Sequence, residues 1–272
     1  MLLGLDLGST TVKYVLLDDE RKLLARDYRR HKSDLIQTVR TLLSELNGRF
    51  PNRPVRPVLS GSGALALSEA LHVAFLQEVA AGATFLAERL PDADVAIELG
   101  GEDAKLLYLT NGLELRMNEA CAGGTGAFID QMAALLSTDA AGLDELALSA
   151  SASHPIASRC GVFAKTDLVA LLNAGVPRSE AARSVFDAVA EQTISGLACG
   201  RPIRGKIVFL GGPLSFLKGL RESFMRKLEG PGTSFTALDD AHFAVAYGAA
   251  LTADESAELP SLGVLIDRFA SA

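Results

Sequence analysis

The chain has 272 residues, a formal net charge of −7, no tryptophan and three cysteines. The acidic balance, with no block of five or six like charges, argues against nucleic-acid binding, and no apolar run reaches the ~18 residues of a membrane span. A strand pattern begins at the N-terminus, so we expect no signal peptide, and an odd number of cysteines fits no disulfide framework. We therefore expect a cytoplasmic protein with reduced thiols.

The predicted elements form two similar series along the chain. The first series contains strands at 2–8, 11–18 and 22–30, a helix near 33–47, a strand at 55–60 and a helical pattern over 64–90 with a break near 73–77. The second contains a hairpin from residue 94 that ends in the turn signal at 111–112, helices near 124–137, 139–150, 163–174 and 178–199, a buried strand at 205–212, a helix at 214–229 and a strand near 233–238. A final pair of helices follows.

This order predicts an α/β fold of two lobes, each with a mixed sheet flanked by helices. The chain is long enough for two lobes with cores of their own. We place lobe I at residues 1–93 and lobe II at 94–257. We expect the C-terminal helix, residues 258–270, to pack back on lobe I.

One segment of the sequence occurs twice in altered form. Residues 3–17 read LGLDLGSTTVKYVLL and residues 95–109 read VAIELGGEDAKLLYL, so that Asp6 matches Glu98 at a constant offset. Each copy is an apolar strand, an acidic residue, a turn with glycine and a second strand. The repeat predicts one polar turn in each lobe, able to hold a polyphosphate from two sides. Ordinary β-hairpins with polar tips are the alternative.

The first turn, Gly8–Thr11, has the chemistry of an anion site. Glycine lets main-chain N–H groups approach a ligand closely, successive N–H groups form a concave anion site, and Ser9, Thr10 and Thr11 add hydroxyl donors. Asp6 would lie near bound phosphate, where Mg²⁺ relieves the repulsion, because this ion is held by one or two carboxylates, water and phosphates.

A third glycine site follows the late strand. Residues 206–210 form a buried strand that continues directly into Gly211 and Gly212, and a helix begins after Pro213. A strand, two glycines and a helix let a ring or a phosphate lie against the backbone at a helix N-terminus. Together with the two turns, this site predicts contacts to a nucleoside.

These motifs resemble those of the actin, sugar-kinase and Hsp70 ATPase superfamily. Within it, residues 117–133, MNEACAGGTGAFIDQMA, and residues 158–172, SRCGVFAKTDLVALL, are similar to the activators of 2-hydroxyacyl-CoA dehydratases and the ATPase subunits of benzoyl-CoA reductase. The resemblance covers nearly the whole chain. It implies an actin-like, ribonuclease H-like duplicated fold and an ATP-hydrolysing homodimer with one [4Fe–4S] cluster between its subunits.

The resemblance also implies the site residues, ATP or ADP and Mg²⁺ as ligands, and the partners. We assign catalysis to Asp6, Glu98 and Asp103, with Asp6 also holding Mg²⁺. We assign nucleotide contacts to Gly8, Ser9, Thr10, Thr11, Lys13, Gly100, Gly101, Glu102, Lys105, Gly123, Gly124, Thr125, Gly211 and Gly212. The expected partners are a second copy of the chain, a ferredoxin or flavodoxin donor and an iron–sulfur dehydratase or reductase.

Cys121 and Cys160 are the expected cluster ligands. Each precedes a glycine-containing segment and a helix, and the N-terminal end of a helix favours the thiolate. Two cysteines cannot complete a site of four thiolates, whereas a twofold partner supplies two more. The alternative is a pair of small core thiols. Cys199 matches no ligand motif, and we expect it in the core.

The sequence departs from the family pattern in the second turn, which usually reads D-I-G-G-Q-D. Glu98 replaces the first aspartate and Glu102 the neutral amide, and Pro213 and Leu214 replace the usual Val-Ala-Lys-Asn continuation. The sequence therefore does not identify the residue that positions the attacking water. It also does not decide whether this chain is one domain of a longer polypeptide. Two other functions remain: a small-molecule kinase of the same fold, which needs a carboxylate base, and a nucleotide sensor without hydrolysis.

Overall fold

The computed structural model describes residues 1–118, 123–158, 160–254 and 259–271. The chain divides into two compact units. The first unit combines Met1–Pro91 with Phe243–Ala272, and the second unit is Asp92–His242. Each unit contains one five-stranded mixed sheet with helices packed on it.

The sheet of the first unit has the strand order β3-β2-β1-β4-β5. Its strands are β1 (Leu2–Leu7), β2 (Thr11–Leu17), β3 (Leu23–Arg30), β4 (Arg56–Ser60) and β5 (Ala74–Phe75). The pairs β1–β2 and β2–β3 are antiparallel hairpins, whereas β1–β4 and β4–β5 are parallel. The parallel pairs need crossover connections, which the helices between these strands provide.

The sheet of the second unit repeats this topology. Its strands are β6 (Val95–Leu99), β7 (Ala104–Tyr108), β8 (Glu114–Met117), β9 (Gly205–Leu210) and β10 (Thr233–Ala237), in the order β10-β9-β6-β7-β8. Counted from the first strand of each unit, the order and the parallel or antiparallel sense of every pair are the same. The duplicated fold expected from the repeated segment is therefore present.

The helices lie close to the predicted positions. They are α1 (Leu35–Arg49), α2 (Leu65–Leu71), α3 (Glu78–Arg89), α4 (Gly126–Leu135), α5 (Ala140–Leu148), α6 (Gly161–Asn173), α7 (Arg178–Ala198), α8 (Gly212–Phe216), α9 (Lys218–Leu228), α10 (Ala244–Leu251) and α11 (Leu262–Ser271). The helix expected at 214–229 is two helices, because Leu217 is extended, with φ −98° and ψ 100°. No helix in the described part of the chain is long and apolar enough to cross a bilayer.

The first unit is completed by residues from the end of the chain. Leu262, Leu265 and Phe269 of α11 join the core that α1 forms on one face of the sheet. On the other face α10 packs against β1, where a Cβ at Gly4 would collide with the Ala246 carbonyl. The sequence analysis put residues up to 257 in the second lobe, but the close backbone contact at Gly4 joins α10 to the first unit.

The core of the second unit lies between its sheet and the helices α4, α6, α7 and α9. Ile97 and Leu106 of the sheet face Phe128 of α4, Phe186 of α7 and their neighbours, all of which are buried. The long helix α7 carries small residues on its buried side, which lets α5 and α9 pack closely against it. This core supports the edge of the sheet at which β6 ends and β7 begins.

Candidate functional site

The first predicted phosphate turn is the tip of the β1–β2 hairpin. The Gly8 N–H donates to the Thr11 carbonyl at 2.9 Å and closes the turn. Ser9 is exposed, Gly8 and Thr10 are half-buried, and Thr11 is buried at the start of β2. The turn therefore presents Ser9 to solvent on a closed, rigid loop.

Asp6 and Lys13 form a buried ion pair behind this turn. The two residues are register partners on β1 and β2, and the Lys13 Nζ donates to Asp6 Oδ2 at 2.6 Å. The other oxygen, Oδ1, lies on the side of Gly8. Both sequence-predicted residues thus lie together, and Lys13 balances the charge of the carboxylate.

The second turn has the same construction at the tip of the β6–β7 hairpin. The Gly100 N–H donates to the Asp103 carbonyl at 2.8 Å, as Gly8 does to Thr11. The Asp103 side chain folds over Gly100, where a Cβ would collide with Oδ1. A side chain at this position would have to displace the Asp103 carboxylate from the turn.

Lys105 pairs with the acidic residues of the second turn. It is the register partner of Glu98. Its Nζ lies 2.5 Å from Asp103 Oδ2 and 3.7 Å from Glu98 Oε1, and its side chain is only 4% exposed. Three residues predicted from the sequence therefore form one cluster. Glu102, at the tip, is exposed.

A row of register partners crosses each sheet at the level of the acidic residue, and its third member is polar only in the first unit. In the first unit the row is Lys13, Asp6 and Ser60, and in the second it is Lys105, Glu98 and Leu210. Register partners on adjacent strands lie on the same face of a sheet. Ser60 is fully buried, and its hydroxyl has no hydrogen-bond partner in the described part of the chain. The sequence analysis did not assign a role to Ser60.

Each turn is also held from behind, through its carbonyl groups. In the second unit, the N–H groups of Gly126 and Ala127 at the start of α4 donate to the carbonyls of Gly100 and Gly101, at 2.9 and 2.8 Å. In the first unit, the backbone of His31 and its ring hold the first turn. In the sequence, His31 belongs to a basic cluster that follows a strand, Arg26, Arg29, Arg30, His31 and Lys32, and this pattern predicts a solvated edge. The structure corrects this for His31, which folds back onto the turn.

The third glycine site has a counterpart that the sequence analysis did not include. Gly211 follows β9 with φ +83°, and a Cβ there would collide with the Leu99 carbonyl. Gly61 follows β4 with φ +102° and lies equally close to the backbone of Leu7. Because Leu7 and Leu99 directly precede the two turns, each turn is backed by one glycine. The shared strand–glycine pattern after β4 and β9 could have revealed Gly61.

The glycines before α4 lie against α7. A Cβ at Gly123 would collide with the Gln192 side chain, and a Cβ at Gly124, which has φ +81°, would lie 3.3 Å from the Thr193 hydroxyl. Thr125, the N-cap residue of α4, is fully buried. A Cβ at Gly126 would lie 3.4 Å from Pro213 Cγ and 3.4 Å from the Gly101 Cα. The second turn, the start of α4 and the segment after Gly211 and Gly212 therefore meet at one place.

Of the predicted cluster ligands, Cys160 is described and Cys121 lies outside the described residues. Cys160 is the half-buried N-cap residue of α6 and its thiol is free. Cys199 was expected in the core, but it is exposed at the end of α7 in a left-handed conformation, with φ 44°. The helix ends there, and the Cys199 thiol donates back to the Gly196 carbonyl at 3.3 Å.

The residues present fit both metal groups that the family resemblance implies. The described residues contain no cluster of three or more His, Cys, Asp or Glu side chains able to bind a metal ion. Asp6 alone suits Mg²⁺ that is shared with nucleotide phosphates, since this ion needs only one or two carboxylates. Cys160 at a helix N-terminus, half-buried, suits a thiolate ligand to a group shared with another chain.

Comparison with known proteins finds activator proteins that match most of this chain. The (R)-2-hydroxyglutaryl-CoA dehydratase activating ATPase of Acidaminococcus fermentans is 28% identical over 267 residues, which cover 94% of this chain and 97% of that protein. The activator of lactoyl-CoA dehydratase of Anaerotignum propionicum is 31% identical over 220 residues, covering 77% and 82% of the two chains.

A solved structure gives the same result. The activator of 2-hydroxyisocaproyl-CoA dehydratase from Clostridium difficile with bound ADPNP matches with a TM-score of 0.81 at 26% identity, over 93% of each chain. The actin-like ATPase fold and the family resemblance predicted from the motifs are therefore confirmed. Residues 3–253 match the family model described as BadF/BadG/BcrA/BcrD ATPase. This chain belongs to the BadF/BadG/BcrA/BcrD ATPase family.

Proposed function

We propose that this chain is an ATP-hydrolysing reductive activator. In this proposal a homodimer shares one [4Fe–4S] cluster and passes a low-potential electron to a partner iron–sulfur enzyme, such as a 2-hydroxyacyl-CoA dehydratase. A reduced ferredoxin or flavodoxin is the donor. The names of the relatives from Acidaminococcus and Anaerotignum support the activator role. The observation that carries the proposal is the hydrogen bonding between the second turn and the start of α4.

The first step is nucleotide binding at the two turns. Asp6 would hold Mg²⁺, with the hydroxyls and N–H groups of Ser9, Thr10 and Thr11 on the phosphates. Lys13 is paired with Asp6 in the structure. If Mg²⁺ took the place of the lysine at this carboxylate, the Lys13 ammonium would be released to pair with phosphate. Gly100, Gly101 and Asp103 would face the γ-phosphate, and Gly211 and Gly212 the nucleoside.

The second step is coupling to the cysteine segments. Gly126 and Ala127 donate to the second turn, so a shift of Gly100 or Gly101 on phosphate binding moves the N-terminus of α4. Cys121 precedes this helix by a few residues in the sequence. The ring of Phe128 in α4 lies 3.3 Å from the position of a Cβ at Gly161, the first residue of α6. Both cysteine segments therefore adjoin one helix that responds to the turn.

The third step needs a second copy of the chain. A [4Fe–4S] cluster supplies one-electron transfer at low potential and takes about four cysteine ligands. Each chain offers Cys121 and Cys160. Val162 and Phe163, next to Cys160, are 70% and 66% exposed. A large exposed apolar residue beside a ligand favours burial against a partner, and twofold symmetry brings each such surface against its copy.

Anaerobic preparation with iron, sulfide and ATPase measurements tests the proposal. The dimer should hold about four irons, because a [4Fe–4S] cluster needs about four thiolates. Cys160→Ala should abolish the iron chromophore, whereas the matched control Cys199→Ala should keep it. Asp6→Asn should weaken ATP hydrolysis far more than folding.

Three outcomes would contradict this proposal. Four irons per monomer, or iron retained by Cys160→Ala, would rule out a cluster shared between two chains. Tight ATP binding without turnover or iron would favour a nucleotide sensor instead.

A further inference from the structure

His31 lies directly after β3, against the carbonyl side of the first turn. Its backbone N–H donates to the Thr10 carbonyl at 3.2 Å. Its ring Nε2 lies 3.2 Å from the Gly8 carbonyl oxygen. One residue from a neighbouring strand therefore holds two carbonyl groups of the four-residue turn.

The contacts of the ring define the form of the imidazole. The Ser33 N–H donates to His31 Nδ1 at 3.1 Å, while Nε2 faces the Gly8 carbonyl. A carbonyl oxygen only accepts and a peptide N–H only donates. Both contacts are satisfied by a neutral ring with its proton on Nε2, so His31 acts as a donor to the turn.

The backbone after His31 is unusual. Lys32 and Ser33 have φ values of 48° and 69°, in the left-handed region that side chains other than glycine rarely adopt. The Asp34 N–H donates to the His31 carbonyl at 2.8 Å and closes this bend. Asp34 then caps α1 through the Gln37 N–H at 3.2 Å. Unfavourable backbone of this kind persists where the surroundings hold it, often at functional sites.

The second unit shows the same arrangement with different groups. There, too, the chain leaves the third strand of the sheet, returns to the turn and donates to two of its carbonyls, from Gly126 and Ala127. In the second unit the donors are backbone groups at the start of α4. In the first unit one donor is an imidazole. The contact common to both turns is the one to the carbonyl of the first residue, Gly8 or Gly100, and at Gly8 the imidazole of His31 takes the place of a helix N-terminus.

We propose that His31 is a positioning residue of the phosphate turn, an inference that rests on the proposed nucleotide function. The Gly8 carbonyl and the Ser9 N–H belong to one peptide group, and in a trans peptide they point in opposite directions. By holding the carbonyl on one side, His31 directs the Ser9 N–H to the other side, toward bound phosphate. A carbonyl facing the phosphates would repel them.

Binding calorimetry with Mg·ADP, and with adenosine in competition, tests this role. His31→Ala should weaken Mg·ADP binding about tenfold, the equivalent of one good hydrogen bond, and should leave adenosine binding unchanged. His31→Gln should recover most of the affinity, because its side-chain amide can donate to the Gly8 carbonyl. His72→Asn is the matched control, since His72 is another histidine of the first unit, at the end of α2, and its left-handed backbone, with φ 52°, suits asparagine.

The outcomes separate the inference from the proposed function. Unchanged Mg·ADP affinity in His31→Ala, or equal losses for ADP and adenosine, would overturn the positioning role while leaving nucleotide binding intact. A parent protein that binds no Mg·ADP would overturn both. If His31→Ala unfolds before binding can be measured, the Mg·ADP affinities of His31→Gln and His31→Met are compared instead. Only glutamine can donate to the Gly8 carbonyl, so equal affinities would overturn the positioning role.

Discussion

Replacing Lys105 by methionine tests the charge cluster of the second turn most directly. Methionine keeps a long unbranched stem and removes only the ammonium group. The Lys105 side chain is 4% exposed, and its Nζ lies 2.5 Å from Asp103 and 3.7 Å from Glu98. The substitution therefore removes the Lys105 charge from beside two acidic residues.

The expected cost is large for one substitution. Removing one partner of a buried ion pair costs about 3–5 kcal/mol, because the other charge stays buried and unpaired. Asp103 is about one-third exposed, so water relieves part of this cost, and we expect about 3 kcal/mol. That is a substantial part of the about 5–15 kcal/mol that stabilises a typical protein.

Urea unfolding of Lys105→Met and of a matched control measures this effect. The control is Lys206→Met, whose Nζ lies 2.8 Å from an exposed residue, Asp92. An exposed pair contributes about 0–1 kcal/mol. Adding Glu98→Gln to Lys105→Met should restore part of the stability, since it removes one of the facing charges. The reasoning fails if Lys105→Met destabilises no more than Lys206→Met.

Two further predictions concern glycines and a serine near the turns. Gly211→Ala and Gly61→Ala should each lower the free energy of unfolding, measured in urea, by about 2–4 kcal/mol, because each places a left-handed alanine against backbone atoms. The control Gly196→Ala lies in open space within α7 and should raise the free energy of unfolding by about 0.5–1 kcal/mol; equal effects in all three variants would refute the packing argument. Ser60→Ala should raise the free energy of unfolding of the nucleotide-free protein by about 1 kcal/mol, because it removes a buried hydroxyl that has no hydrogen-bond partner. If calorimetry shows a loss of stability instead, the hydroxyl does form a hydrogen bond and the reasoning fails.

The local parts of the fold could be predicted from the sequence. Both hairpins, the turns at their tips and most helices follow from alternation, glycine and helical periodicity over short stretches. The break near residues 73–77 is also local, and it contains the short strand β5. The pairings β1–β4 and β6–β9 join distant segments, and only the repeat and the superfamily resemblance indicated them.

The remaining features depend on tertiary packing that no local pattern contains. The helix α10 is apolar on all sides, so its pattern does not select a unit, and its place is set by the backbone contact at Gly4. His31 could not be told from its basic neighbours in the sequence, because the two carbonyl groups that it holds, those of Gly8 and Thr10, are distant from it along the chain. Cys199 looked like a core residue because it follows a buried helix, although that helix ends at the cysteine.

The discontinuity of the first unit has a consequence for biosynthesis. Residues 1–91 leave the ribosome first, but their core needs Leu262, Leu265 and Phe269 from the end of the chain. The second unit, Asp92–His242, is continuous and needs no later residue for its own core. Domains usually fold in the order of synthesis. For this chain we expect the reverse order, because the apolar side chains of the N-terminal strands stay partly uncovered until α11 is synthesised, and a chaperone would have its longest opportunity to bind there.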